Sequence, residues 1–142
     1  MPALRERPSG RIERLKRRVD FQAVAAGRRR FVAPGLILQT RPRGPLAAPG
    51  ESPRVGFTAS RKVGNAVARN RARRRLKAAA QAVLARHAAP AHDYVLIARP
   101  QTVDRPFCLL LGDLEAGLRR LGLWRGEAAP PAAVREAADT PA

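Results

Sequence analysis

Between Arg61 and Lys77 the chain carries eight basic residues (Arg61, Lys62, Arg69, Arg71, Arg73, Arg74, Arg75 and Lys77) and no acid. Guanidinium groups at this density suit one kind of chemistry. Their planar forks donate paired hydrogen bonds to phosphate oxygens and stack on flat bases. The chain has no comparable grouping for breaking a bond. Ser60 has no base beside it in sequence and reads as the polar face of a strand. His87 and His92, the two histidines, stand five apart across Pro90 with no cysteine or acid cluster near them, so a metal site is not expected. The eleven acids are scattered, and Asp93, Asp104, Asp113 and Glu115 are the nearest to a group. A two-metal nuclease needs convergent carboxylates, whereas Asp113 and Glu115, two apart on a helix, diverge. No catalytic side chain and no metal ligand is assigned.

The charge of the whole chain points the same way. Its 142 residues include 28 Lys or Arg against 11 Asp or Glu, a formal net charge of +17. The lysines are Lys16, Lys62 and Lys77; every other cation is arginine. Between Ser52 and His92 there is no acid at all. An ordinary solvated helix face mixes signs, so this one is expected to meet a polyanion, nucleic acid first. A membrane fits less well: there is no broad face of bulky apolar residues and no apolar run of about 20. Met1-Pro-Ala-Leu-Arg5 has no apolar core after its charges and does not read as a signal peptide. Cys108, the single cysteine, lies between Phe107 and Leu109 and is expected to be a small buried residue. It cannot form an intrachain disulfide, which fits a reducing cytoplasm.

These cations need a scaffold. Residues 20–26 read as a short helix ended by Gly27, with Phe21, Val24 and Ala25 on one face. A strand is expected over 36–40, a Pro- and Gly-rich loop over 42–53, and an alternating strand over 54–60. The two strands should pair antiparallel, and a further short strand fits near 28–32. Asn65 is placed to cap a helix running from Ala66 to about His87 before Pro90. Residues 92–98 form a continuous apolar strand covered on both faces. A last helix over 106–123 has Leu110, Leu114, Leu118 and Leu121 as its stripe. The order is α-β-β-α-β-α, α/β in class, with a strand–helix–strand crossover unit in a mixed sheet.

On the long helix, at about 100° per residue, Ala68, Ala72, Leu76, Ala79, Ala80 and Val83 share one arc that can lie on a sheet. Arg69, Arg73 and Lys77 form an adjacent row, Asn70 and Arg74 the next, and Arg71 lies further round. Like charges at i, i+4 destabilise a lone helix, so the pattern costs stability unless phosphates neutralise it. The interleaved Val67, Leu76 and Val83 argue against a disordered basic tract. Phe21 and Phe57, on their own, read as core residues rather than stacking surfaces.

The run Lys62-Val-Gly-Asn-Ala-Val-Ala-Arg-Asn-Arg-Ala-Arg-Arg-Arg-Leu-Lys77 closely resembles the signature of the bacterial ribonuclease P protein subunit. Arg14-Leu-Lys16 ahead of Asp20-Phe-Gln-Ala-Val24, Arg54-Val-Gly-Phe-Thr-Ala-Ser60, and Asp93-Tyr-Val-Leu-Ile-Ala-Arg99 extend the resemblance in the same order over roughly residues 11 to 123. It implies a two-layer α+β sandwich similar to domain 2 of ribosomal protein S5, its crossover left-handed against the general rule. The layout expected is a basic segment over 1–13, one domain over 14–124 and a disordered tail over 125–142. The implied role is the protein half of a cytoplasmic ribonucleoprotein that removes the 5′ leader of precursor tRNA. The catalytic RNA subunit would carry the chemistry and its Mg2+; the protein alone would hold no cofactor. The partners implied are that RNA and the precursor tRNA, with no membrane and no obligatory protein partner.

Carried over by position, Arg69, Asn70, Arg71, Arg73 and Arg74 match helix positions near the catalytic RNA. Arg61 and Lys62 match basic positions beside the leader cleft, and Phe21 matches one of its aromatics. Asn65 and Lys77 complete the expected RNA-binding set; Phe57, Lys16 and Arg17 complete the cleft. Ala25 stands where the family often has a second aromatic, and Ala72 where many relatives have a bulkier residue. A ribosomal or general RNA-chaperone protein shares charge, size and fold class and stands as the alternative. A DNA-binding regulator is less suited, because no second helix pairs with 66–87 as a helix-turn-helix requires.

Overall fold

The computed structural model describes residues 12–43 and 52–126. The expectations for 1–11, for most of the 42–53 loop and for 127–142 lie outside the described residues. The elements, in chain order, are β1 (Glu13–Arg14), α1 (Arg18–Ala26), β2 (Arg29–Val32), β3 (Leu36–Pro42), β4 (Arg54–Thr58), a 3-10 turn (Arg61–Val63), α2 (Ala66–His87), β5 (His92–Ala98), a second 3-10 turn (Pro100–Val103) and α3 (Phe107–Arg120). The five strands form one mixed sheet in the order β1-β4-β5-β3-β2.

That order corrects one expectation. β3 and β4 do not pair; β5 lies between them, antiparallel to β3 and parallel to β4. The physical reason is burial. β5 is the most apolar strand, and the centre of the sheet is where both its faces can be covered. Tyr94 and Leu96 point into the main core, while Val95 belongs to a second cluster on the other face. β4, α2 and β5 make the expected crossover unit, since β4 and β5 are parallel neighbours.

The sheet and the α2–α3 pair are the two principal layers. α2 buries Ala72, Leu76, Ala79, Ala80, Val83 and Leu84 between them. Its small residues let the helix axis approach the strands closely, and Leu76 and Leu84 are buried between them. α3 contributes Leu110, Leu114 and Leu118; Leu121 is only partly buried. Gly117 brings α3 close to Leu38 and Phe31. Cys108 is exposed, contrary to expectation. Two residues before Leu110, it lies about 200° round the helix from the buried stripe.

α1 covers part of the opposite sheet face. Val24 is fully buried there with Leu15 and Val95, and Phe21 packs against them, but Ala25 is exposed. Gly56 makes this possible, because a Cβ at that position would overlap the Phe21 ring. β1, absent from the sequence reading, extends the packed chain before residue 14: the Glu13 N–H donates to Pro53 O at 2.9 Å and Ile12 packs on the core. At the other end Trp124 bridges to Ala88 and the Arg125 N–H donates to His87 O at 2.6 Å.

Two buried carboxylates fasten the strands to their surroundings. Asp93 on β5 is fully buried and accepts both arms of the Arg54 fork at 2.8 Å. Arg41 at 3.2 Å and Arg43 at 3.8 Å approach the same carboxylate, and Asp20 on α1 faces Arg54 and Arg41. The hydrogen bonds to Asp93 hold the Arg54 guanidinium above its ordinary pKa. Asp113 on α3 accepts from Arg105 at 2.7 and 3.1 Å and from the Gly35 N–H at 2.9 Å.

Candidate nucleic-acid interface

The basic stretch leaves the sheet through a compact turn. Ser60 Oγ accepts from the Lys62 N–H at 3.3 Å, starting the 3-10 turn that carries Arg61 and Lys62. Gly64 then takes a φ of +146°, and a Cβ there would press on Ala68. Asn65 Oδ1 accepts from the Ala68 N–H at 2.9 Å and caps α2, as expected. The Asn65 side chain is therefore committed to the helix start. With no acid in its first turn, the positive end of α2 adds to the cations around it.

Along α2 the structure sorts the cations by flank. Arg69 is half-buried and donates to Gly64 O at 3.0 Å, which draws it toward the turn that bears Arg61 and Lys62. Arg73, also half-buried, donates to Asn70 Oδ1 at 2.7 Å, and Lys77 is exposed one turn further on. Arg74 projects outward beside this row and is exposed. Arg71 lies on the opposite flank from the Arg69, Arg73 and Lys77 row, where it donates to Val103 O at 2.8 Å and approaches Asp104 at 3.9 Å. Arg75, to which the sequence reading gave no role, donates to Val103 O at 3.1 Å and to Arg105 O. Together Arg71 and Arg75 clamp the second 3-10 turn. Their i, i+4 spacing was the one signal available for this; their carbonyl partners, some 30 residues away, left none.

The expected cleft set is divided. Phe21 lies on the α1 face of the sheet, with the second core cluster, whereas Phe57 packs against the main core on the α2 face. Arg14 sits over the Phe57 ring at 6.0 Å. Lys16 and Arg17 are exposed in the link from β1 to α1, so they stand with Phe21 rather than Phe57. Beyond α1 the same face stays partly open. Thr58, Ile97, Ile37 and Val32 lie side by side across four strands in register. The first three are half-buried and Val32 is exposed. This makes a largely apolar floor on the Phe21 face of the sheet, with Lys16 and Arg17 in the link into α1 and Arg61 and Lys62 in the turn that follows Thr58.

Among the described residues no group of three or more His, Cys, Asp or Glu comes together, and Asp93 and Asp113 are each taken up by arginine forks. His87 stacks on Trp124 with ring centroids 4.0 Å apart, and Arg119 covers that indole at 4.0 Å. Trp124 thus packs against both α2 and α3. Among the described residues no helix is long and apolar enough to cross a membrane.

A small α+β domain with one unneutralised cationic helix and an open sheet face beside it defines a class, the basic RNA-binding proteins. Residues 10–122 match the family model described as Ribonuclease P. A relative from Paramagnetospirillum magneticum, named ribonuclease P protein component, is 54% identical over 114 residues, covering 80% of this chain and 86% of its own. One of the same name from Ruegeria pomeroyi is 50% identical over 121 residues, covering 84% and 94%. The chain belongs to the ribonuclease P protein family, the protein component of an endoribonuclease that acts on tRNA. The fold agrees. A solved RNase P protein from Staphylococcus aureus superposes with a TM-score of 0.64 at 23% identity, over 79% of this chain and 97% of its own. One from Thermotoga maritima superposes with a TM-score of 0.60 at 21% identity, over 73% and 93%.

Proposed function

We propose that the Arg61-to-Lys77 surface binds the catalytic RNA subunit of ribonuclease P, and that the open sheet face beside Phe21 holds the single-stranded 5′ leader of precursor tRNA. The observation that carries this is the separation of cations on α2. Arg69, Arg73, Arg74 and Lys77 have no carboxylate partner among the described residues, and Arg69 reaches only Gly64 O beside its own helix start, while Arg71 and Arg75 donate to carbonyls about 30 residues away at Val103 and Arg105. A row of like charges left unpaired weakens the helix by itself and is offset only when an anion docks. Bound RNA supplies that anion through its phosphates, in contacts that position without reading sequence.

The leader fits the other face for a different reason. Single-stranded RNA binding needs a cationic rim, flat apolar surfaces and little base-edge code. The Thr58, Ile97, Ile37 and Val32 floor with Phe21 supplies the surfaces, and Lys16, Arg17, Arg61 and Lys62 supply the rim. Hydrolysis falls to the RNA subunit and the magnesium ions it binds, in the cytoplasm. The protein side chains orient RNA and neutralise charge.

Reconstitution tests this. Purified protein, the catalytic RNA and a precursor tRNA are combined at low magnesium, and leader release is timed. Stimulation by the wild-type chain, lost in Arg69→Ala/Arg73→Ala while the thermal unfolding curve is unchanged, supports the assignment. Absence of stimulation by the wild type sinks it, and full activity of the double variant removes the role of that row.

A further inference from the structure

A second groove lies on the far flank of α2. It is an open groove of about 450 Å³ between α2 and the link from the second 3-10 turn into α3. Arg71, Arg74, Arg75 and Arg105 line it, and Pro106 and Phe107 form its apolar side. Phe107 opens α3, is 39% exposed and belongs to neither core cluster. Its exposed part faces a groove lined by four guanidinium groups. Pro106, with its fixed φ, holds the approach to that helix rigid.

The arginines are not equivalent. Arg71, Arg75 and Arg105 are fixed from behind, by Val103 O, by Arg105 O and by the Asp113 carboxylate. They form a preorganised positive wall. Arg74 is exposed, and among the described residues it makes no ion pair or hydrogen bond. Asp104 is the groove's single acid; its carboxylate is turned outward, 89% exposed and 3.9 Å from Arg71. The groove therefore keeps a positive excess, with one free fork and one partly exposed aromatic ring.

We propose that this groove holds one unpaired nucleotide of an RNA strand, its base stacked on Phe107 and its phosphate on Arg74. A phosphate alone would use the cations but leave the ring idle, and an apolar peptide would use the ring but leave the cations unmatched. A nucleotide uses both, and a pocket of this size suits one. The proposal rests on the RNA-binding reading above. It adds a contact surface on the side of α2 away from the Arg69, Arg73 and Lys77 row. The strand that supplies the nucleotide is either the catalytic RNA or the precursor tRNA.

The test uses the full chain with Phe107→Trp, whose added indole reports a stacked base by loss of emission over the constant Trp124 signal. Oligoadenylate should quench that emission, and polyphosphate of the same charge should not. Phe107→Ala should bind oligoadenylate roughly five-fold or more weakly, and Phe107→Tyr should restore binding. Quenching by catalytic RNA alone or by precursor tRNA alone supports the proposal and identifies the source. If neither RNA nor oligoadenylate quenches, or if Phe107→Ala binds like the wild type, the proposal is overturned. Quenching in the Phe107→Trp variant, together with a wild-type chain that fails to stimulate cleavage, would support the nucleotide site while overturning the ribonuclease P reading of the other flank.

Discussion

Removing Arg73 and Lys77 should flatten the salt dependence of RNA binding by an amount the structure fixes. Six cations of the signature project without a carboxylate partner among the described residues: Arg61, Lys62, Arg69, Arg73, Arg74 and Lys77. If each meets one phosphate of a single strand, at about −0.7 per contact, log K against log salt has a slope of about −4. Affinity then falls about 300-fold between 50 and 200 mM salt. Arg73→Ala/Lys77→Ala should bring the slope to about −2.8 and the fall to about 50-fold. Arg75→Ala is the comparison. Its guanidinium donates to Val103 O and Arg105 O, so its loss should cost about 1–3 kcal/mol of stability and change the slope by less than the double variant does. The assay is fluorescence anisotropy with a labelled single-stranded oligoribonucleotide across a salt series, beside urea unfolding of each variant. Equal slopes for wild type and double variant, or a slope lowered as much by Arg75→Ala, would refute the assignment of the Arg73 and Lys77 row as the principal phosphate-binding flank of α2.

Three further outcomes follow from the packing. Asp93→Asn leaves Arg54, Arg41 and Arg43 crowded round a neutral group and should cost about 3–5 kcal/mol in urea unfolding; a loss below about 1 kcal/mol would show that Asp93 is not the fastener of β3, β4 and β5. Gly56→Ala puts a methyl group where the Phe21 ring lies. It should destabilise by about 1–3 kcal/mol, and a thermal transition within a degree of wild type would contradict that contact. Tyr94 donates to Ala89 O at 2.8 Å, and burial pushes its pKa well above the ordinary value of 10.0. The folded state therefore holds the phenol proton more tightly than the unfolded chain. The resulting stability is complete below about pH 10 and is lost as pH rises through the raised folded value. Unfolding free energies measured from pH 8 to 12 should fall at the alkaline end for wild type and less steeply for Tyr94→Phe; parallel curves would rule out Tyr94 as the group responsible.

Local features were legible because local rules govern them. The 3.6-residue period gave α2, Asn65 gave its cap, and the small-residue arc gave the face that meets the sheet. The acid-free run of arginines gave the charge of the surface, and the signature within it gave the family. The same wheel that placed Leu110, Leu114 and Leu118 inward also places Cys108 outward, so that error was avoidable from periodicity alone. β1 was not: two residues carry no period, and their pairing with β4 is set by a partner some 40 positions away.

Residue order was enough to place the three helices and every strand but β1, and to show where the cations fall along them. Packing in three dimensions decided which strand lies between which, which side of the sheet each phenylalanine faces, and which arginines are free. Those outcomes depend on contacts between residues far apart in the chain. β5 enters between β3 and β4 because only the central position covers both its faces. α1 takes Phe21 to one side of the sheet while α2 keeps Phe57 on the other. Arg71 and Arg75 have the same charge as Arg73 and Lys77, and only the carbonyls of the second 3-10 turn make them structural.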